Sequence, residues 1–144
     1  MKRILGLFLL ILGPAAEARA DVESLAAALS KLPAAERRQR LIEGARKEGE
    51  VMFYSSSGQE EVDSLTALFA KTYPFVKILT VKKGGSQLFN LALMEYKGGQ
   101  YLVDVYWAGT STVGPLIREK GMIAKYLSPE RRAIGEEFRD KEGL

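Results

Sequence analysis

Three short clusters of serine, threonine and glycine are the clearest candidates for ligand binding. Each follows an apolar run and precedes sequence with helical periodicity: "SSSG" after "VMFY", "KKGGS" after "VKILTV", and "GTST" after "YLVDVYWA". Hydroxyls donate and accept hydrogen bonds, and glycine lets a ligand approach the backbone closely. Such residues can hold a small polar molecule without transforming it. The candidate ligand-binding residues are Ser55, Ser56, Ser57, Gly85, Ser86, Gly109, Thr110 and Ser111.

Helix capping is the alternative explanation for these hydroxyls. Ser57 followed by Glu60 matches a capping box, in which the serine closes its own helix. Ser55 and Ser56 have no such explanation and are the stronger candidates for ligand contact. Both explanations fit three further residues, Ser86, Thr110 and Ser111.

Charged residues beside the clusters leave the sign of a ligand's charge open. Glu60 and Glu61 fall in the first turn of a predicted helix, where they compete with an anion for the helix dipole. Lys82 and Lys83 of the second cluster have two explanations: they offset those carboxylates, or they are simply solvated.

The absence of cysteine and histidine excludes several kinds of chemistry. Disulfides, Ser-His-Asp and Cys-His catalysis, His or Cys zinc sites and haem ligation by His all need residues that the chain lacks. We therefore predict a binding protein that is not an enzyme, with no cofactor and no metal. The alternative is a small α/β enzyme acting on a phosphorylated metabolite. That enzyme would need carboxylates or a carboxylate-bound metal at the strand ends.

The first twenty residues have the pattern of a cleaved export signal. Lys2 and Arg3 precede the apolar run "ILGLFLLIL", and "ARA" at 18–20 offers a signal-peptidase site. The apolar run is about half of the ~20 residues that span a bilayer, so an anchor is disfavoured. We expect residues 1–20 to be a signal peptide, the mature chain to begin near Asp21, and the protein to reach the periplasm.

Loss of the signal would remove most of the net charge. Removing Lys2, Arg3, Arg19 and Glu17 lowers the balance from 21 basic and 18 acidic residues to 18 and 17, a net charge of +1. The stretch "ERRQRLIEGARKEGE" is mixed in sign and is typical of a solvated helix face. A nucleic-acid partner is therefore not expected.

The three clusters need a scaffold that brings them together, and the element order predicts one. Two N-terminal helices at 21–32 and 33–49 come first. Strands at 51–54, 76–81 and 101–108 then alternate with helices at about 59–73, 87–99 and 113–121, and a short helix starts near Ser128. This alternation predicts an α/β fold with a parallel sheet, in which all three clusters lie at the carboxyl edge of the strands.

The sequence also predicts roles for one residue inside a strand and for two aromatic residues near strand ends. Asp104 falls within the third predicted strand, and we expect it to be structural, holding a neighbouring helix. Tyr54 and Trp107 are expected in the core, with an aromatic wall beside the ligand as the alternative.

An ordered series of short motifs resembles the amino-terminal part of an extracellular solute-binding protein of an ABC importer. The similar group has the type II periplasmic binding fold and includes ferric-iron binders. The resemblance runs from about Leu41 to the end of the chain. It is carried by Lys47-Glu48-Gly49, Tyr54-Ser55-Ser56, Phe69 to Pro74, Val103-Asp104-Val105 and Lys120-Gly121.

The resemblance implies a receptor with two lobes that close on a solute and deliver it to the membrane permease subunits of an ABC importer. Residues 21–48 would then be N-terminal helices and 49–144 part of the first lobe, a three-layer parallel-sheet unit. The second lobe would be absent, as in a truncated product or gene fragment, and the full-length form is expected to be a monomer.

The resemblance also bears on the ligand. Iron-binding members place a histidine where this chain has Gly58 or its neighbour, and some place a glutamate near the position of Gly109. Both ligands are missing, so a small polar or anionic solute is favoured. A ferric-iron receptor is retained as an alternative.

Overall fold

Strands and helices alternate through most of the chain. The computed structural model describes the backbone of residues 15–118 and 122–139, and the side chains of 22–116, 122–137 and 139. The elements in this part of the chain are α1 (Ala15–Ser30), α2 (Ala34–Glu48), β1 (Glu50–Ser55), α3 (Gln59–Thr72), β2 (Lys77–Lys82), α4 (Gly85–Lys97), β3 (Val105–Trp107) and α5 (Thr110–Arg118), followed by 3-10 helices at Pro129–Ala133 and Glu136–Phe138. The predicted α/β class is confirmed.

The three strands form one parallel sheet in the order β2-β1-β3, as the alternation predicted. β1 pairs with β2 over six positions, from Glu50↔Lys77 to Ser55↔Lys82. It pairs with β3 over three positions, from Phe53↔Val105 to Ser55↔Trp107. Because all strands run the same way, their carboxyl ends meet at one edge.

Helices cover both faces of the sheet. Thr66 and Ala67 of α3 lie beside Ile78 and Thr80 of β2, where they line a shallow cleft of about 460 Å³. The opposite face presents Tyr54, whose hydroxyl contacts Glu95 of α4. Neighbouring residues of a strand point to opposite faces, so α3 and α4 form separate layers.

One buried residue in each of three helices anchors that helix in the core. Val62 of α3, Leu88 of α4 and Leu116 of α5 are 1 %, 0 % and 2 % exposed. Burial of each side chain away from water is worth about 1.5–3 kcal/mol for a residue of this kind. These anchors lie in or near the first two turns of each helix, which fixes the helix N-termini relative to the strand ends.

Element boundaries differ from the prediction where glycine and hydroxyl clusters meet helices. The third strand has three residues rather than eight, and Tyr101 and Leu102 before it are 43 % and 48 % exposed. The Met52 N–H bonds to the side chain of Asp104 rather than to a backbone carbonyl, so β3 pairs with β1 only from Val105 onward. Helices α4 and α5 also begin earlier than predicted, so their glycine and hydroxyl residues form helical first turns rather than loops.

The predicted signal peptide falls mainly outside the described residues. Its positions 1–14 are outside them, and 15–20 form the start of α1. Among the described helices, none is long and apolar enough to cross a membrane.

Candidate functional site

The predicted meeting of the three clusters at one edge is observed. Ser55, Lys82 and Trp107 end the three strands, and Ser55 pairs in register with Lys82 on one side and with Trp107 on the other. Beyond the strands, the Ser56 N–H donates to the carbonyl of Trp107 at 3.1 Å, and the Lys83 N–H donates to that of Ser55 at 3.3 Å. We refer to residues 55–58, 83–86 and 107–112 as the rim.

Ser55 supports the first loop of the rim instead of facing outward. It is fully buried, at 0 % exposed, and its Oγ accepts a hydrogen bond from the Ser57 N–H at 3.1 Å. Since both its surface and its lone pair are taken up by the protein, Ser55 positions the loop. Ser56 and Ser57 are half-buried at the surface and are open to contact with a ligand.

The predicted capping box of Ser57 and Glu60 is wrong by one residue. The N-cap of α3 is Gly58, whose N–H donates to Glu61 Oε2 at 3.0 Å. The reason is the turn made by Ser55 and Ser57, which uses the Ser57 N–H before the helix begins. The carboxylates of Glu60 and Glu61 therefore occupy the positive end of α3.

The N-termini of α4 and α5 have the opposite character. Gly84 is the N-cap of α4, and no side chain hydrogen bonds to that cap. Neither α4 nor α5 has an acidic residue in its first turn. Free backbone N–H groups and the helix dipole favour an anion or a strong acceptor at such an end. Ser86, Thr110 and Ser111 are exposed there.

These two helix ends are in direct contact. A Cβ placed on Gly85 would lie 2.6 Å from Thr112 Oγ1, closer than atoms can pack. Glycine at this position therefore lets α4 approach α5. Gly109, at the other side of this contact, is exposed with open space around its Cα. The second and third clusters thus form one continuous surface.

The aromatic residues at the strand ends divide between core and rim. Trp107 stacks on Phe53 with centroids 6.1 Å apart and planes at 18°, and it keeps 38 % of its surface exposed at the rim. Tyr54 is buried at 3 % exposed. An aromatic wall at the rim is thus available from Trp107, whereas Tyr54 belongs to the core.

A buried polar cluster beneath α4 was not anticipated from the sequence. The Tyr54 hydroxyl donates to Glu95 Oε1 at 2.8 Å. Burial, and then the neighbouring Glu95 carboxylate, raise the pKa of Tyr54 to about 12, so the phenol stays neutral. Glu95 Oε2 and the Tyr106 hydroxyl are buried without a hydrogen-bond partner among the described residues, and burial also raises the pKa of Tyr106. The signal for this cluster was a lone acid inside the apolar helix "LALMEY".

Asp104 is structural, as expected, but it holds a strand and not a helix. Its Oδ2 accepts from the Met52 N–H at 2.7 Å, and its own N–H donates to the Met52 carbonyl at 3.1 Å. This exchange continues the β1–β3 ladder one step before β3 begins, because the side chain takes the place of a backbone acceptor. Asp104 therefore lies away from the rim.

The residues at the rim do not resemble a metal centre. The described part of the chain has no group of three or more His, Cys, Asp or Glu that could hold a metal ion. Gly58 and Gly109, at the positions where iron-binding proteins of the similar group place ligands, are exposed and have no side chain to offer. The rim instead presents backbone N–H groups, hydroxyls and one indole face.

In comparisons with protein families and with curated proteins, none matches this chain. The resemblance to solute-binding proteins therefore stays a prediction that rests on the sequence motifs.

Proposed function

We propose that this chain is a periplasmic solute-binding component of an ABC importer, and that its rim captures a small anionic or polar solute. The observation that carries the proposal is the contact between the N-termini of α4 and α5, neither of which has an acidic residue in its first turn, at the carboxyl edge of a parallel sheet. Open α/β sheets bind their ligands at this edge. More specifically, the chain would form a lobe of a type II binding protein. That lobe would work with a second lobe and with membrane permease subunits.

The charge preference follows from the neighbouring groups. The first turns of α4 and α5 have no carboxylate, and Lys82 and Lys83 lie just before α4. Both lysines are exposed, so they attract an anion without being fixed to it. Glu60 and Glu61 keep an anion away from α3, which directs it to the other two helices.

Binding without turnover agrees with the chemistry of these groups. Hydroxyls and amides are weak nucleophiles unless a base activates them. The chain has no histidine or cysteine to serve as that base. Hydrogen bonds from fixed amides can instead recognise a solute and release it unchanged, which is what import requires.

Nuclear magnetic resonance titration of the ¹⁵N-labelled chain tests the proposal. We expect inorganic phosphate, sulfate and malate to shift the amide signals of Gly85, Ser86, Thr110 and Ser111 in a saturable way, and glucose to shift them less. Anions that leave these four signals unchanged, while shifting others or none, would contradict the assignment of the rim.

A variant with Ser86→Ala, Thr110→Ala and Ser111→Ala separates the hydroxyls from the backbone donors. We expect anion binding to weaken by about tenfold or more, since each of the three lost hydrogen bonds contributes about 0.5–1.5 kcal/mol, whereas the amides remain. The matched control changes Ser24, Ser64 and Thr72 to alanine, which are also exposed helical positions but lie outside the rim. Equal affinities in the two triple variants would argue against ligand contact by the hydroxyls.

A further inference from the structure

A second cavity lies far along the chain from the rim and shares no residue with it. It has a volume of about 750 Å³ and lies between α1, the first half of α2 and the segment 125–139. This volume is within the ~300–1,000 Å³ range of small-molecule sites in proteins. Its lining begins at Glu23, after the predicted signal cleavage point, so the mature chain would keep it.

The cavity combines an apolar floor with a basic border. Leu41, Tyr126 and Leu127 line it while they are 48 %, 54 % and 62 % exposed. Large apolar side chains gathered in one concave place mark a binding surface more often than scattered ones do. Among the described residues, the charged ones that line the cavity are Arg37, Lys125, Arg131, Arg132, Arg139 and a single acid, Glu23.

Hydrogen bonds between distant segments build the walls of this cavity. Glu23 Oε1 of α1 accepts from the Lys125 N–H at 3.1 Å, which joins the two sides. Arg139 donates from Nε to the Ile134 carbonyl at 2.6 Å and from Nη2 to the Arg132 carbonyl at 3.3 Å. The side chain of Arg139 therefore stabilises the turn of the segment that contains Arg132.

Two guanidinium groups at the border are left for a ligand. Among the described residues, no carboxylate lies within ion-pair distance of Arg37 or Arg132. The nearest acid in sequence to Arg37 is Glu36, which pairs instead with Arg40 at 3.3 Å. A planar guanidinium matches a carboxylate in a two-point hydrogen bond.

We propose that this cavity binds an amphipathic monoanion, a single acyl chain that ends in a carboxylate. The chain would cover Leu41, Tyr126 and Leu127, and the carboxylate would lie between Arg37 and Arg132. Charge complementarity selects the anion, and the exposed apolar floor selects the tail. The inference is independent of the solute at the rim.

Calorimetric titration of the full chain with decanoate, below its micelle concentration, tests the proposal. We expect saturable binding of one decanoate per chain. Two control compounds each lack one feature: acetate has the carboxylate without the tail, and decyltrimethylammonium has the tail with the opposite charge. We expect both to bind at least about tenfold more weakly than decanoate. Equal binding of decyltrimethylammonium would overturn the proposal, because it would mean unspecific contact with apolar surface.

Substitutions locate the site. The double variant Arg37→Gln and Arg132→Gln should weaken decanoate binding about tenfold or more, since hydrogen bonds to charged groups are the stronger kind. Arg38→Gln is the matched control, an exposed arginine of α2 that does not line the cavity. Leu41→Gln tests the floor and should weaken decanoate several-fold with little effect on thermal unfolding.

Three outcomes would each overturn the proposal. One is a double variant that binds decanoate as tightly as Arg38→Gln. Another is association only with vesicles of anionic lipid, which would assign the basic border to a membrane surface. The third is a ligand-free dimer that the double variant abolishes, which would assign the cavity to a second copy of the chain.

Discussion

The first turns of α3 and α4 have nearly the same backbone conformation, but only α3 has negatively charged side chains there. Each helix follows a strand through a glycine N-cap, with φ −58° and ψ 153° at Gly58 and φ −60° and ψ 150° at Gly84. The third helical residue is Glu61 in α3 and Gln87 in α4. Glu61 accepts from the Gly58 N–H at 3.0 Å, and Gln87 Oε1 lies 3.9 Å from where a Cβ on Gly84 would be.

This comparison shows that small hydroxyl residues do not by themselves define the polar character of a helix start. The first cluster contains three serines, yet its helix is closed by its own carboxylate and one serine is buried. The second contains one serine and two glycines, and its helix end has no acid. The carboxylates in the first turn, Glu60 and Glu61 in α3 and none in α4, therefore decide which helix end can attract an anion.

We expect the largest effect on stability at the first residue of each helix, because α3 has room for a larger side chain there and α4 does not. Gly85→Val places a side chain against Thr112 Oγ1, so we expect about 2 kcal/mol lower stability in urea unfolding, as for other overpacked sites. Gln59→Val, at the equivalent and exposed position of α3, should cost less than about 1 kcal/mol.

Combining Gly85→Val with Thr112→Ala tests the cause. The second substitution removes the atom that the new side chain meets, so part of the lost stability should return. If the two changes are additive, the contact between α4 and α5 is not the reason that glycine is needed at this position.

The second effect concerns the serines at the end of β1. Ser55→Ala leaves the Ser57 N–H without its acceptor and should cost about 1 kcal/mol in urea unfolding. Ser56→Ala, which removes no described side-chain hydrogen bond, should be neutral within about 0.5 kcal/mol. Equal costs would mean that burial of the Ser55 hydroxyl does not shape the loop.

Much of the fold followed from the sequence because its patterns are local. Apolar runs and helical stripes placed three strands and five helices, and the parallel alternation placed the clusters at one edge. The short β3 was missed, since strand length depends on pairing with a neighbour that periodicity does not reveal. Asp104 was correctly taken as structural, but its partner Met52 is 52 residues away and no local pattern indicates it.

The candidate site was less predictable because it depends on hydrogen bonds between neighbouring loops. The sequence predicts ligand contact for Ser55 and Ser56 alike. Their roles differ because the buried Ser55 hydroxyl accepts a hydrogen bond from the Ser57 N–H. Glu95 was missed because its role comes from Tyr54, on a different element. The basic cavity was missed because its walls come from opposite ends of the described chain.

The smallest effect on stability tests the comparison most directly. Gln87→Glu gives α4 the third residue that α3 has, so a carboxylate can accept from the Gly84 N–H and interact with the dipole. We expect a gain of about 0.5 kcal/mol in urea unfolding. The same change should weaken sulfate binding at the rim several-fold, because the helix end then carries its own negative charge.

Gln87→Ala is the control that removes the amide without adding charge. Sulfate binding should stay near that of the unchanged chain in Gln87→Ala and should fall only in Gln87→Glu, with a smaller difference at high salt, where charges are screened. The reverse change, Glu61→Gln in α3, should lower stability by a similar amount, whereas Glu60 should still keep sulfate away from that helix end. If Gln87→Glu stabilises the protein but leaves sulfate binding unchanged, the anion does not approach α4, and the rim must recognise its solute through hydroxyls and Trp107 rather than through helix charge.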